Sequence, residues 1–322
     1  MAESLLNVSD LTVQYNLPGA TVRALDHVSL DIPAQGYTLG VVGESGSGKT
    51  TLGLSMLGLI ERPGKITSGS VRFEGKNILE MSTEEIRSYR GPKVSMIYQS
   101  AMNSLSPTKT ILGHVEEVIR EHSRVSKVEA REKAIKSLAS VGIKPERVTG
   151  YPHEFSGGMR QRVVIAMALA LSPKMLIADE PTSALDVVVQ RQILDLIRKE
   201  IELRNLSLVF VTHEIPLTRK LVDHIAVMYA GEVVETGPLD RMLKEPLHPY
   251  SEMLIGSLLT LRSKREALTR MPKESSESKT KIAANACKFA NRCKYAFERC
   301  RQERPLLKVV EQGRMAACHK YN

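Results

Sequence analysis

Short apolar runs alternate with stretches of helical spacing along most of the chain. Val8 to Tyr15 partly alternates between apolar and polar positions, and Leu17-Pro18-Gly19 is a turn, so residues 5–40 read as short strands joined by turns. Thr38-Leu39-Gly40-Val41-Val42 is an apolar run suited to a strand of a parallel sheet buried on both faces. A glycine-rich turn follows, and then Thr50 to Ile60 has helical spacing. Ser70 to Ile78 reads as more strand with a turn at Glu74-Gly75, and Val94 to Tyr98 as another strand. From about 109 to 172 the pattern is helical: Glu129 to Val141 is amphipathic, and Met159 to Leu171 is a long helix with a broad apolar face. Met175 to Ala178 and Leu208 to Thr212 are two further buried strands, with a helix from Gln190 to Leu203 between them. Buried strands alternating with helices predict an α/β core around a parallel sheet.

At 322 residues, 42% apolar and 25% charged, the chain has the composition of a folded protein, with length for a large domain plus an appendage. The longest apolar stretch, Val163 to Leu171, has nine residues, about half of a membrane span. Met1-Ala2-Glu3-Ser4 lacks the basic start and apolar core of a signal peptide. We therefore expect a cytoplasmic location, with any membrane spans supplied by other chains. The net charge of +9 suits nucleic acid, a membrane surface or a phosphorylated ligand, without choosing among them. Composition shifts near 262, where basic residues and Glu274-Ser275-Ser276-Glu277-Ser278 read as an exposed, flexible linker. We divide the chain into a main domain at 1–260, a basic linker at 261–283 and a C-terminal cysteine segment at 284–322.

Chemistry enters at Gly43-Glu44-Ser45-Gly46-Ser47-Gly48-Lys49-Thr50, which matches the phosphate-binding pattern G-x-x-x-x-G-K-[ST] between an apolar strand and a helix. The glycines let backbone N–H groups point inward as an anion nest, and the helix start adds its positive dipole end. Lys49 is placed to neutralise the outer phosphates and Thr50 to bind Mg²⁺. A second strand ends in Asp179 and Glu180. Asp179 is the metal-side acid, directly or through water, and Glu180 the group that polarises an attacking water. His213 follows a third strand and is a candidate γ-phosphate contact, though alone it is an ordinary loop histidine. Gln99 follows the strand at 94–98 and is a candidate metal contact, though alone it carries almost no information. Ser156-Gly157-Gly158 opens the helix at Met159 and makes a plausible anion site; taken alone, it is a helix cap.

In this order the segments resemble the ATP-binding-cassette (ABC) ATPases over about residues 5–260. The resemblance implies a P-loop NTPase core with a parallel sheet, an antiparallel β subdomain and an α-helical subdomain at about 100–172. It implies that Tyr15 stacks on adenine and that the loop from Gly43 through Thr51 holds ATP. It also places Asp186 of Ala184-Leu185-Asp186 at a dimer interface. Ser156, Gly157, Gly158 and Met159 fall on the family signature, which reaches the γ-phosphate of ATP on a facing cassette. Phe155 and Met159 depart from the common Leu-Ser-Gly-Gly-Gln, while the phosphate-facing part is retained. Phe155 to Val163 and His248-Pro249-Tyr250, with Leu254 and Leu258, are similar to the oligopeptide/dipeptide importer ATPases. That group implies a second, paralogous ATPase, two permease subunits and an extracellular solute-binding protein. It also implies work at the cytoplasmic face of the membrane. Some members of the group carry oligosaccharides. The rivals are a soluble cassette acting on nucleic acid or ribosomes, an exporter, and a non-enzymatic cassette. The first two usually carry a second cassette, a coiled-coil insertion or fused spans, which this chain lacks. The retained Glu180 and His213 speak against the third.

Cys287, Cys293, Cys300 and Cys318 are the chain's four cysteines, all near its end. The spacing C-x₅-C-x₆-C-x₁₇-C lacks the close pair usual for zinc, and a reducing cytoplasm disfavours disulfides. Four thiolates on irregular loops can hold an iron–sulfur cluster. Lys288, Arg292, Lys294, Arg299, Arg301 and Arg314 are expected to offset its negative charge. The importer resemblance adds that this segment can hold a [4Fe–4S] cluster; zinc is the alternative, then unliganded thiols. We expect a small, loop-rich, metal-binding segment.

Overall fold

The computed structural model describes residues 3–260, 283 and 285–321; apart from Ala283, the expected linker at 261–283 lies outside the described residues. β1 (Leu6–Leu17) and β2 (Ala20–Ile32) form a hairpin, with strands longer than the alternation suggests. Gly19 closes its turn at φ 80° after Pro18, as a type II turn requires. β3 (Thr38–Val42) is buried throughout and leads into α1 (Lys49–Met56). β4 (Gly64–Phe73) and β5 (Lys76–Asn77) flank the Glu74-Gly75 turn. After α2 (Thr83–Tyr89) and β6 (Val94–Ile97) come α3 (Ile111–His122), α4 (Lys127–Ser140) and α5 (Gly157–Leu169). Then β7 (Met175–Asp179), α6 (Val187–Arg204), β8 (Ser207–Thr212) and the short α7 (Ile215–Thr218) follow. The remainder is β9 (His224–Tyr229), β10 (Glu232–Pro238), α8 (Leu239–Lys244), α9 (Pro249–Thr260), α10 (Glu298–Gln302), β11 (Lys308–Glu311) and β12 (Arg314–Ala316).

The strands make two sheets. One is antiparallel, in the order β2-β1-β4-β5; the other has eight strands, in the order β11-β12-β10-β9-β3-β8-β7-β6. In the larger sheet β9, β3, β8, β7 and β6 are mutually parallel. Alternate residues of the same strand feed different cores, as a period of two dictates. Leu176, Ala178, Leu208 and Phe210 join α3 to α6 on one face. Met175, Ile177, Val209 and Val211 join α1 and the antiparallel sheet on the other. Because the central strands are parallel, their carboxyl ends lie along one edge, where open α/β sheets bind ligands.

The C-terminal segment is mostly loop, as expected, and adds two short strands to the larger sheet. β12 pairs with β10, Glu235 opposite Ala316, and β11 extends the sheet by one more strand. Arg314 is the anchor. Its side chain is 1% exposed and sits 3.0 Å from Glu235, which is 0% exposed. A second pair joins it to Glu311 at 2.7 Å.

Candidate active site

The loop between β3 and α1 is shaped by close approaches of backbone. A Cβ at Gly43 would lie 2.2 Å from the Met228 carbonyl, and one at Gly48, at φ 100°, 2.4 Å from the Ala24 carbonyl; no larger residue fits either position. Gly231 N–H donates to Ser47 O at 3.0 Å, tying the loop to the β9–β10 turn. Ser45 and Gly46 form the exposed tip, while Ser47 and Lys49 are buried. Lys49 Nζ donates to the carbonyls of Gly43 at 2.9 Å and Glu44 at 2.8 Å. Burial lowers its pKa, against the opposing charges of Glu180, Asp179 and Glu44. Thr50 and Thr51 occupy the first turn of α1.

Asp179 ends β7 with 1% exposure. Burial pushes its carboxyl up; the Thr50 hydroxyl pulls it down, Glu180 adds to the rise and Lys49 opposes it. Neither carboxylate oxygen has a partner of full hydrogen-bond geometry. Glu180 follows at φ 44°, a left-handed conformation uncommon for a side chain of this size and typical of functional turns. Its two oxygens are both engaged: Gln99 Nε2 donates to Oε2 at 3.0 Å, and His213 Nδ1 lies 2.7 Å from Oε1. Gln99, Glu180 and His213, weak signals singly, therefore form one hydrogen-bonded set at the carboxyl ends of β6, β7 and β8.

Ser156 caps α5, accepting from Met159 N–H at 3.4 Å. Ser156 is exposed, and Gly157 and Gly158 half-buried; added Cβ atoms would meet Leu185 at 3.5 Å and Val189 at 2.5 Å. Met159 packs partly against the helical core, with its sulfur 3.7 Å from Arg147 Nη1. Phe155 is buried, with the Arg147 guanidinium 4.6 Å above its ring. Asp186 is exposed and caps α6, accepting from Val188 and Val189 N–H at 3.1 and 3.0 Å. Val187 and Val188 beside it are 79% and 68% exposed. Tyr15 is half-buried on β1, opposite Val22 and Gly64.

The cysteine segment docks beside the phosphate loop. All four cysteines line one cavity of about 300 Å³ with His248, Phe289, Phe297 and His319. Cys287 N–H donates to Cys300 O at 3.0 Å. Burial pushes the Cys287 thiol up to about 12 and those of Cys293 and Cys318 upward, while backbone N–H groups of Phe289, Tyr295 and Lys320 oppose it. Among the described residues no three His, Cys, Asp or Glu side chains converge closely enough to hold a metal ion, so a ready-made metal set, for zinc or for a cluster, is absent there. Five of the six basic neighbours have carboxylate partners of their own. Lys288 pairs with Asp26 and Glu232, Arg292 with Glu44, Lys294 with Glu252, Arg299 with Glu303 and Arg314 with Glu235. Four of these cations tie the segment to the rest of the chain, and the Arg299–Glu303 pair lies within the segment. The Tyr250 hydroxyl accepts Glu44 N–H at 2.9 Å. Sequence reasoning assigned neither Arg292 nor Tyr250 to the loop; His248-Pro249-Tyr250 stood out as a motif without a role.

Residues 25–183 match the ABC transporter family, and residues 234–300 match the C-terminal region of oligopeptide/dipeptide transporters. The dipeptide transport ATP-binding protein DppD of Escherichia coli (strain K12) is 41% identical over 318 residues, covering 98% of this chain and 96% of that one. The chain belongs to the ABC transporter ATPases. This ABC ATPase is also 43% identical over 312 residues to the oligopeptide transport ATP-binding protein OppD of Bacillus subtilis (strain 168), covering 95% of this chain and 86% of OppD. Its fold resembles a dimeric, post-hydrolysis structure of the cassette MJ0796 bound to ADP and Pi. The TM-score is 0.63 at 30% identity, covering 73% of this chain and 98% of that one. Among the described residues of the ABC ATPase, no helix is long and apolar enough to cross a membrane.

Proposed function

We propose that this chain is the ATP-hydrolysing subunit of a peptide importer. It works at the cytoplasmic membrane face with two permeases, an extracellular solute-binding protein and a second, paralogous ATPase. The observation that carries the reading is Glu180, held between Gln99 and His213 beside the buried Asp179 and the Lys49 loop. The similarity to dipeptide and oligopeptide transport ATP-binding proteins supplies the substrate class.

Lys49 exchanges the Gly43 and Glu44 carbonyls for the outer phosphates of ATP. Tyr15 stacks on the adenine. Asp179, with two unpartnered buried oxygens, and Thr50 fit a divalent cation, and Gln99 lies on the same edge. Mg²⁺ bound there supplies charge neutralisation at the phosphates. Glu180 takes the proton of the attacking water, and its bond to His213 fixes its orientation. Ser156, Gly157 and Gly158 present an exposed helix start, with Asp186 and the exposed valines beside them, suited to ATP on a facing cassette. ATP then favours the closed pair because each γ-phosphate touches both chains. Closure turns the permeases outward; hydrolysis resets them.

For the cysteines we propose a [4Fe–4S] cluster. Zinc, which draws its sulfurs to about 2.3 Å, is the alternative. A cavity of about 300 Å³ ringed by four thiols, three with backbone N–H donors, suits a polynuclear group whose sulfurs accept such bonds. The cluster would supply a covalent staple for the segment. Anaerobically purified protein should be brown, with iron and acid-labile sulfide; colourless, iron-free protein from iron-replete cells refutes it.

Reconstitution in proteoliposomes with the permeases and the binding protein tests the transport reading. Peptide-loaded binding protein should stimulate ATP hydrolysis and peptide uptake. ATP turnover stimulated by RNA or DNA instead would transfer the chain to the nucleic-acid class.

A further inference from the structure

One residue of the phosphate loop is gripped from outside the cassette core. Glu44 follows Gly43 directly and points its carboxylate toward the C-terminal segment. Arg292, the residue before Cys293, forks onto it: Nη1 donates to Oε2 at 2.9 Å and Nη2 to Oε1 at 2.8 Å. The two side chains are 16% and 34% exposed, so water screens the pair only in part. The guanidinium lies 5.6 Å from the Tyr229 ring centre and 5.7 Å from that of Phe289. Phe289 in turn meets Tyr229 and Tyr250 edge-on, at 5.2 and 5.5 Å. Tyr250 closes the circle by accepting the Glu44 N–H. The carboxylate and the backbone of one loop residue are thus both fixed, the first by the cysteine segment and the second by α9.

A carboxylate in a loop that receives polyphosphate is an electrostatic liability. It repels the incoming anion and competes for the field of Lys49, whose ammonium already bonds to the Glu44 carbonyl. A bidentate guanidinium removes both effects, and its planar fork fixes the carboxylate in a way a lysine cannot.

We propose that Arg292 is a positioning residue of the nucleotide site, cancelling the Glu44 carboxylate so that nucleotide affinity depends on the docked C-terminal segment. The proposal rests on the reading of the Gly43–Thr50 loop as a nucleotide site. Its chemistry concerns the outer phosphates, so ADP and ATP report on it alike, before any hydrolysis.

The test is calorimetric titration of the full-length chain with Mg–ADP. Arg292→Ala should raise Kd about tenfold, with the deficit shrinking as salt screens the exposed Glu44 charge. Arg292→Lys should recover part of the loss, having the charge without the fork. Arg292→Ala combined with Glu44→Gln should bind several-fold more tightly than Arg292→Ala alone, because the acid that needed cancelling is gone. That rescue separates charge cancellation from mere bracing of the segment, which Glu44→Gln cannot restore. Unchanged Kd in Arg292→Ala, or a double variant as weak as the single, overturns the proposal. Lys49→Ala is the separate control: tight Mg–ADP binding by that variant would overturn the nucleotide reading of the loop, not just the role of Arg292.

Discussion

At the nucleotide edge the central groups arrive at the ends of parallel strands: Gly43 after β3, Gln99 after β6, Asp179 and Glu180 at β7, His213 after β8. At the C-terminal edge the contacts join residues remote in sequence. Arg292 reaches Glu44 across 248 positions, and Arg304 reaches the Asp26 carbonyl across 278. The first region is positioned by topology, since parallel strands align their carboxyl ends whatever the side chains do. The second is positioned by charge, with cations on one segment meeting acids on another, of which Asp26, Glu232 and Glu235 are buried. Strand topology tolerates loss of a side chain in the site and loses only its chemistry. Charge docking loses structure when one partner is removed, because the other stays buried and unpaired.

Glu180→Gln draws that line most sharply. It keeps size and leaves Gln99 and His213 in place, so the fold should melt as wild type and ATP should still bind. Hydrolysis should fall about 10²- to 10⁴-fold, the span expected of a general base, and the closed, ATP-bound dimer should accumulate. Single-turnover hydrolysis at the wild-type rate would remove Glu180 from the mechanism.

Arg314→Met asks the opposite question. Glu235 would remain fully buried without its cation, while still accepting the Leu247 and His248 N–H groups at 3.0 and 2.9 Å. The expected cost is about 3–5 kcal/mol, read by denaturant unfolding, with nucleotide contacts untouched. A cost below about 1 kcal/mol would show that β11 and β12 are held by strand pairing rather than by charge.

The same contrast governs what the chain discloses before folding. β3, β7 and β8 are read within a residue because contiguous apolar runs bounded by turns have few other uses. Their ends carry Gly43, Asp179–Glu180 and His213, so the site follows from the strands. β9 and β10 carry comparable signals: Ile225 to Met228 is as apolar as β3, and Ala230 and Gly231, at φ 45° and 85°, make a two-residue hairpin turn. Val309-Val310 and Gln312-Gly313 signal the β11–β12 hairpin within a segment that is otherwise mostly loop. Arg292 and Glu44 carry no such signal. A basic residue near a cysteine looks like charge compensation for a metal, and only the fold shows which acid it meets.

The smallest expected effect lies where the two regions touch, at His248. The residue is 2% exposed, with its ring 5.8 Å from Phe289 and lining the cysteine cavity. Nδ1 accepts the Tyr250 N–H at 3.0 Å, which requires that nitrogen to be unprotonated. Burial accordingly pulls its pKa from 6.5 down to about 4. Between those values the unfolded chain holds a proton that the folded chain refuses. Stability therefore falls as pH drops from about 6.5 toward 4, and the loss is complete below 4. The gap corresponds to about 3 kcal/mol at most. His248→Asn keeps an acceptor for Tyr250 and removes the titration. Other groups titrate in both proteins, so the difference between them isolates this one. Unfolding free energies measured from pH 7.5 to 4 should show wild type losing about 2–3 kcal/mol more than the variant. A difference constant across that window would mean that His248 takes up its proton as readily in the fold as in the unfolded chain. The joint between α9, the cysteine segment and Glu44 would then be open to water, and its hold on the phosphate loop correspondingly loose.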